Sequence, residues 1–187
     1  MYEYDVSKSN MWREVHEQPE IIRHVIDVNL PIIENICKEV DNRNISKVLL
    51  VGRGSSEHAL LVGKYAFEIY TDKLTSMAYP SIITLLDGKL VLTIGVSQCG
   101  EAKDVYTVLE KCQNQGGIAV SVTNEHECLM RNVGNYYINC ECGKETSFTA
   151  AKSYMSQMVI TLLFAAVLSH DVGTDKKSTG YYRTKFV

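Results

Sequence analysis

Two short segments rich in glycine and serine contain the residue types that a phosphate-binding site needs. The first is Gly52-Arg-Gly-Ser-Ser56 and the second is Ser97-Gln-Cys-Gly-Glu101. Each follows an apolar run and precedes a stretch with helical spacing, so each is expected where a strand gives way to a helix. Backbone N–H groups at a helix start favour anions, glycine lets the backbone approach a ligand, and serine hydroxyls add donors. The pair therefore indicates a site for an anionic group such as phosphate.

Helix capping is the alternative interpretation of the same segments. Serine in front of a helix commonly caps it, and Gly-Ser is common loop material. Neither segment is a dinucleotide-binding fingerprint, because the first lacks the third glycine of G-x-G-x-x-G, and the chain has no G-x-x-x-x-G-K-[ST] loop. Two loops of this kind at matching places of one sheet favour a ligand site over capping alone.

The elements that must position these loops alternate between strands and helices. Alternation of this kind predicts an α/β fold with one doubly wound, five-stranded parallel sheet and helices on both faces. Its ligand site is expected beyond the carboxyl ends of the strands, where the strand order reverses. The expected strands are Lys47–Gly52, Leu74–Tyr79, Leu90–Val96, Gly117–Thr123 and Asn135–Cys140, and the expected helices Ser56–Tyr70, Ala102–Gln113 and Thr149–Leu168.

The first 45 residues have helical spacing and predict an N-terminal helical segment that packs on the domain. Pro19 suits a first helical turn, and Pro31 is expected to start or kink a second helical stretch. The sequence is thus expected to divide into a helical segment at 1–45, an α/β domain at 46–170 and a polar tail at 171–187.

Composition and charge narrow the class of protein. A chain of 187 residues suits one domain, and a net charge of -3 argues against nucleic acid or an anionic membrane as the main partner. Met1–Asn10 lacks the pattern of an export signal, and no apolar stretch reaches about 18 residues, which predicts a cytoplasmic chain without a membrane span and with reduced cysteines. Cys140 and Cys142 are too close in sequence for an ordinary zinc knuckle, and no metal or other cofactor is expected.

The order of the motifs resembles that of the sugar isomerase (SIS) domain family, in particular the isomerase half of glucosamine-6-phosphate synthase and related sugar-phosphate isomerases and deaminases. The opening Met11-Trp-Arg-Glu-Val-His-Glu-Gln-Pro19 resembles the family signature M-x-x-E-I-x-E-Q-P. Ser97–Glu101 resembles the loop S-Q-S-G-E-T, and Thr123-Asn124 resembles a T-N pair at a strand end. Gly143–Lys152 resembles G-x-E-x-x-V-A-x-T-K, so the resemblance covers roughly residues 11–168.

The resemblance implies a flavodoxin-like, three-layer fold and a site for a phosphorylated sugar. It implies that a hexose or amino sugar 6-phosphate is isomerised between aldose and ketose, or deaminated, and that two chains pair as a homodimer and complete the site between them. An apolar surplus on Gln18–Asp41 and Ala150–Leu168 is expected to provide the associating surface. Phe148 matches a position whose backbone contacts the sugar, and the residues matched to phosphate binding are Gly54, Ser55, Ser56, Ser97, Gln98 and Cys99.

Two departures from the family pattern leave alternatives open. Cys99 and Ala102 stand where the family usually has serine and threonine, and a thiol or a methyl group is a poorer hydrogen-bond partner than a hydroxyl. Relatives with this opening usually carry a second SIS domain, which holds their acid–base glutamate and histidine. A non-catalytic phosphosugar sensor or regulatory module is therefore the second hypothesis, and a dimerisation piece without a ligand the third.

The catalytic residues are left unassigned, with Glu145 and His58 as the candidates that remain. Glu145 is equally suited to be a charge at a helix N-terminus, and a lone histidine on a helix is more often a surface or packing residue. Glu101 is expected near the mouth of the site and His126 in solvent, while Lys152 is expected either to neutralise phosphate or to pair with an acid.

Overall fold

The computed structural model describes residues 5–78 and 90–169. The strands are β1 (Lys47–Gly52), β2 (Leu74–Met77), β3 (Val91–Val96), β4 (Ile118–Thr123) and β5 (Tyr136–Asn139), and the helices are α1 (Asn10–Asn42), α2 (Ser55–Tyr70), α3 (Lys103–Asn114) and α4 (Lys152–Leu168). The predicted strands and helices are thus found where the sequence pattern places them, within a few residues at each end. The predicted end of the second strand at Tyr79 and the tail at 171–187 lie outside the described residues.

All neighbouring strands of the sheet are parallel, in the order β2-β1-β3-β4-β5. Strand β1 pairs with β2 on one side and with β3 on the other, and its last residue Gly52 is in register with Val96 at the end of β3. The order therefore reverses between β1 and β3, which is the place where doubly wound sheets bind their ligands. The loops that follow these two strands begin side by side.

Helices cover both faces of the sheet, which confirms the predicted doubly wound α/β class. Alternate side chains of a strand point to opposite faces. Leu50, Ile94 and Val120 pack into a core with residues of α1, α2 and α4. Val51 and Ala119 belong to a second, smaller core with residues of α3. One face is thus covered by three helices and the other by α3.

Helix α1 is a single element of 33 residues, so Pro19 does not lie in a first turn and Pro31 does not start a second helix. Pro19 and Pro31 both lie inside the helix, and both are exposed. A proline in a helix leaves a carbonyl without its usual partner at a cost of about 3 kcal/mol. Where that carbonyl reaches the surface it can bond to water, while burial of the opposite stripe stabilises the helix. The buried residues are Glu14, Val25, Ile26, Asn29, Leu30, Ile33, Ile36, Cys37 and Val40.

Helix α4 is enclosed by the chain itself, since none of its residues is exposed. It approaches α2 closely at Gly63, where an added Cβ would lie 2.0 Å from Cγ2 of Thr161. The expectation that α4 contributes an apolar associating surface is therefore wrong. Large exposed apolar side chains lie on α1, at Trp12, Val15, Val28 and Ile32, and on α2, at Leu61, Val62, Tyr65, Ile69 and Tyr70. Among the described residues, no helix combines the length and apolarity needed to cross a membrane.

Candidate functional site

The first loop turns from β1 into α2 without a capping side chain. Gly54 is the N-cap of α2 with φ 58°, a left-handed backbone conformation that favours glycine. Ser55 and Ser56 form the first turn of the helix, the former exposed and the latter buried. Neither serine occupies the cap position. The capping interpretation therefore does not account for this loop.

The second loop leaves β3 and leads to α3, whose N-cap Ala102 likewise makes no side-chain capping bond. Ser97 is buried, Gln98 is half-buried and Cys99 is exposed. Gly100 has φ 69°, and a Cβ at this position would lie 2.3 Å from Sγ of Cys128. Both the backbone conformation and the close contact therefore favour glycine here.

An ion pair joins the first loop to the helix that follows the second. Nε of Arg53 lies 2.5 Å from Oδ2 of Asp104, which is in the first turn of α3. Burial raises the pKa of Asp104, but hydrogen bonds from the Arg53 guanidinium and the Val105 backbone N–H, with the Arg53 charge, outweigh burial and lower it. Arg53 and Asp104 were not singled out from the sequence. An arginine inside one glycine loop and an aspartate opening the next helix are the signals that could have indicated them.

Asn124, at the end of β4, joins the second loop to a third segment. Its backbone N–H donates to the Gln98 carbonyl at 3.0 Å, and its Nδ2 donates to the Gly143 carbonyl at 2.9 Å. Its Oδ1 accepts from the Cys142 backbone N–H at 3.2 Å. The segment at 143–151, called here the 143–151 loop, is thereby fixed to the same edge of the sheet. It carries Phe148, whose side chain is fully exposed.

The two catalytic candidates occupy different settings. Glu145 accepts hydrogen bonds from the backbone N–H groups of Ala151 at 2.6 Å, Lys152 at 2.7 Å and Ser153 at 3.4 Å. The Ser153 hydroxyl also donates to its second oxygen at 2.5 Å. Glu145 therefore caps α4, which agrees with its interpretation as a charge at a helix N-terminus. His58 is exposed one turn into α2, beyond the first loop.

The other polar residues noted at the mouth are bound to neighbouring backbone or side chains. Oε1 of Glu101 accepts from the Leu129 backbone N–H at 3.1 Å. Nζ of Lys152 is 2.8 Å from Oε2 of Glu17, so the lysine pairs with an acid. His126 is exposed, with Nδ1 3.5 Å from the Asn139 amide nitrogen.

A cavity of about 380 Å³ lies beside these residues, at the carboxyl ends of β4 and β5. Its lining residues are Asn124, Glu125, His126, Asn139, Glu141, Gly143 and Lys144. Within the described ranges, His, Cys, Asp and Glu side chains form no group of three or more that could hold a metal ion. All six cysteines are free thiols.

Comparison of the sequence with known proteins identifies one family along most of the chain. A family model described as SIS domain matches residues 43–167. The glutamine–fructose-6-phosphate aminotransferase (isomerizing) of Thermococcus kodakarensis is 28% identical over 169 residues, which is 88% of this chain and 28% of that protein. The chain thus spans little more than a quarter of the length of this relative.

Two solved structures resemble the fold over most of the chain. A protein of Silicibacter pomeroyi, assigned as a phosphosugar isomerase, superposes with a TM-score of 0.81 at 26% identity, over 88% of this chain and 52% of its own. The NanR protein of Vibrio vulnificus, complexed with ManNAc-6P, has a TM-score of 0.62 at 15% identity, over 97% of this chain and 63% of its own.

Proposed function

Since the chain belongs to the SIS domain family, we propose that it binds the phosphate group of a phosphorylated sugar between the Gly52–Ser56 and Ser97–Glu101 loops. One observation carries the proposal. The sheet reverses its order between β1 and β3, and this reversal brings together two helix starts that have no capping side chain. Two uncapped helix starts offer backbone N–H groups and partial positive charge to one anion.

The proposed phosphate ligands are the residues of the two loops. Hydroxyls of Ser55, Ser56 and Ser97 and the amide of Gln98 supply donors, and Gly54 and Gly100 allow the backbone to approach. Cys99 takes the position of a further donor with a weaker thiol. Phe148 is proposed to bring its backbone to the sugar from the 143–151 loop.

The proposed reaction is aldose–ketose isomerisation or deamination of a hexose or amino sugar 6-phosphate, with this chain as a subunit or fragment of the enzyme. Isomerisation requires a base that moves a proton between C1 and C2 and an acid that opens the ring. Because Glu145 is engaged in capping α4, the base is proposed to come from another chain or domain that faces the crevice. Such proton transfers require no metal or redox cofactor.

A phosphosugar sensor without catalysis is the second candidate function. The observation that favours it is the same engagement of Glu145, together with the absence of hydroxyls at Cys99 and Ala102. The ManNAc-6P complex of the Vibrio vulnificus protein, which superposes on nearly the whole of this chain, supports binding as a use of this fold. Turnover assays with a stoichiometrically bound ligand test the enzyme hypothesis: isomerisation by the assembled homodimer would exclude the sensor.

A homodimer is proposed as the assembled form, with α2 in the contact. Leu61, Tyr65 and Ile69 follow one another at helical spacing and are 40%, 59% and 69% exposed. Exposed apolar stripes of this kind mark association surfaces. Sedimentation at micromolar concentration is expected to show a dimer, and Tyr65→Glu with Ile69→Glu is expected to yield monomers. A wild-type protein that sediments as a monomer would contradict the proposal.

Ligand stabilisation tests the phosphate site directly. Fructose 6-phosphate or glucosamine 6-phosphate at about 100 times Kd should add roughly 2.7 kcal/mol to the free energy of unfolding. The unphosphorylated sugars at equal concentration are the control and are expected to give no shift in Tm. An equal response to sugar and sugar phosphate would exclude the assignment of the two loops to phosphate.

A further inference from the structure

The start of α1 faces the 143–151 loop through the residues of the opening signature. Glu14 is a carboxylate with no exposed surface, although it lies in the second turn of a helix whose neighbouring residues Arg13 and Val15 are exposed. A carboxylate is rarely buried completely unless its charge is compensated by hydrogen bonds. Its partners are therefore informative about why the sequence retains a charge there.

The partners of Glu14 lie in the loop, more than 130 residues away along the chain. Oε1 accepts from the backbone N–H groups of Thr146 at 2.5 Å and Ser147 at 3.1 Å, and from the Thr146 hydroxyl at 2.9 Å. Oε2 accepts from the Ser147 hydroxyl. One side chain thus fixes two consecutive residues directly before Phe148, through both backbone and side chain.

Other residues of the signature bind Thr146, the end of the same loop and the first residue of α4. Nη2 of Arg13 donates to the Thr146 hydroxyl oxygen at 3.2 Å. Oε2 of Glu17 accepts from Nζ of Lys152 at 2.8 Å, and Nε2 of Gln18 donates to the Ala151 carbonyl at 3.1 Å. The Glu, Glu and Gln of the signature therefore hold the loop at its middle and at its end.

We propose that Glu14 is a positioning residue for the sugar-contacting loop, and that the signature segment Arg13–Gln18 is the anchor that shapes this loop before ligand arrives. The inference rests on the proposed phosphosugar site and adds a residue to it that touches no ligand. The loop has no regular helix or strand, so its conformation depends on contacts of this kind. A loop that is ordered only part of the time lowers the apparent affinity by the fraction of molecules in the competent shape.

The same helix provides a matched control at its other end. Glu39 accepts from the Tyr136 hydroxyl, and its Oε1 lies 3.1 Å from Nη1 of Arg43. Tyr136 begins β5, so this second carboxylate fixes α1 to the edge of the sheet opposite the site. Glu14→Gln and Glu39→Gln are therefore identical substitutions on one helix, one at the site and one remote from it.

The first measurement is hydrogen exchange in the ligand-free protein. Glu14→Gln is expected to speed exchange at the Thr146 and Ser147 amides about tenfold, because their acceptor loses its charge and one of its two oxygens. Glu39→Gln is expected to leave both amides unchanged. Equal exchange rates at these two amides in the wild type and in Glu14→Gln would overturn the proposal that Glu14 anchors the loop.

The second measurement is the affinity for fructose 6-phosphate at a temperature where all variants are folded. Glu14→Gln is expected to weaken binding about tenfold and Glu39→Gln less than twofold. Ser147→Ala, which removes one donor and keeps the carboxylate paired with Thr146, is expected to fall between them and keeps the test open if Glu14→Gln does not fold. Faster loop exchange with unchanged affinity would overturn the positioning role. If the wild type binds no sugar phosphate, the proposed function fails, while the exchange data still decide whether Glu14 orders the loop.

Discussion

Three helices begin at the carboxyl edge of this sheet, and they differ in whether a capping side chain binds the N–H groups of their first turn. Helix α4 has the Glu145 carboxylate across its first N–H groups. Helices α2 and α3 begin at Gly54 and Ala102, which make no side-chain capping bond. In α3 the Val105 N–H donates to Oδ1 of Asp104. Partial positive charge at a helix start is stabilised by any anion, whether it belongs to the chain or to a ligand. The comparison indicates which starts are structural and which are open to a ligand.

Removal of the carboxylate at α4 should have the largest effect on stability. Glu145→Ala leaves the N–H groups of Ala151 and Lys152 without their partner, and we expect the free energy of unfolding to fall by about 3 kcal/mol. Urea denaturation measures it. Glu57→Ala is the control, since this carboxylate is in the first turn of α2 without capping it, and a change below about 0.5 kcal/mol is expected. A stable Glu145→Ala protein without turnover would instead assign catalysis to Glu145.

Loss of a hydroxyl at an open start should leave stability unchanged and weaken binding. Ser97→Ala and Ser55→Ala are each expected to reduce the phosphosugar binding free energy by about 2 kcal/mol, because a donor to a charged group is lost. Calorimetric titration measures the affinity. Thr71→Ala is the matched control, since Oγ1 of Thr71 donates to the Phe67 carbonyl at the far end of α2, so it should lower Tm without affecting ligand. The reverse pattern would identify the loop serines as structural.

A carboxylate introduced at an uncapped helix start should cap that helix, as Glu145 caps α4. Ala102→Asp places an acceptor at the N-cap of α3, and we expect about 1 kcal/mol of added stability. The same negative charge should repel phosphate, so phosphosugar affinity should fall together with the gain in Tm. Ala102→Asn, which can cap without a full charge, separates the two effects. Undiminished affinity in Ala102→Asp would place the phosphate away from α3.

The contribution of the Glu14 carboxylate to stability should change with pH only in acid. Near neutral pH this is therefore the smallest of the expected effects. Burial raises the pKa of Glu14, but hydrogen bonds from Ser147 and Thr146 outweigh it and lower the pKa from 4.5 to about 2. A pKa lower in the folded than in the unfolded state gives stability above pH 4.5 that is lost as pH falls toward 2. The Tm difference between the wild type and Glu14→Gln should therefore shrink over this interval. A constant difference would show that the charge is not what stabilises.

The sheet and the two loops could be predicted from sequence because their signals are local. Lys47–Gly52 and Leu90–Val96 are apolar runs that end in the residues of the loops, and parallel strands fix where such loops lie. The serines could not be separated from caps by pattern alone. Only the observed helix starts at Gly54 and Ala102 distinguish them.

The remaining features depend on contacts that sequence spacing does not reveal. The course of α1 through Pro19 and Pro31 follows from burial of the opposite stripe, which is decided by tertiary packing. The partners of Glu14 are more than 130 residues distant, so its burial could not be foreseen from its neighbours. The capping role of Glu145 depends on α4 beginning at Lys152, a boundary that the helical spacing from Thr149 does not reveal.

The close approach of Gly63 to Thr161 has a mechanical consequence for the crevice. Since a Cβ at Gly63 would overlap Thr161, the two helices are in close contact, and we expect α2, which carries the first loop, to resist sliding along α4. The opposite wall of the crevice rests on α3 and is joined to the first loop by the partly exposed pair Arg53–Asp104, which contributes about 0–1 kcal/mol. If the site closes around a ligand, we therefore expect α3 to move as a hinge while α2 stays in place.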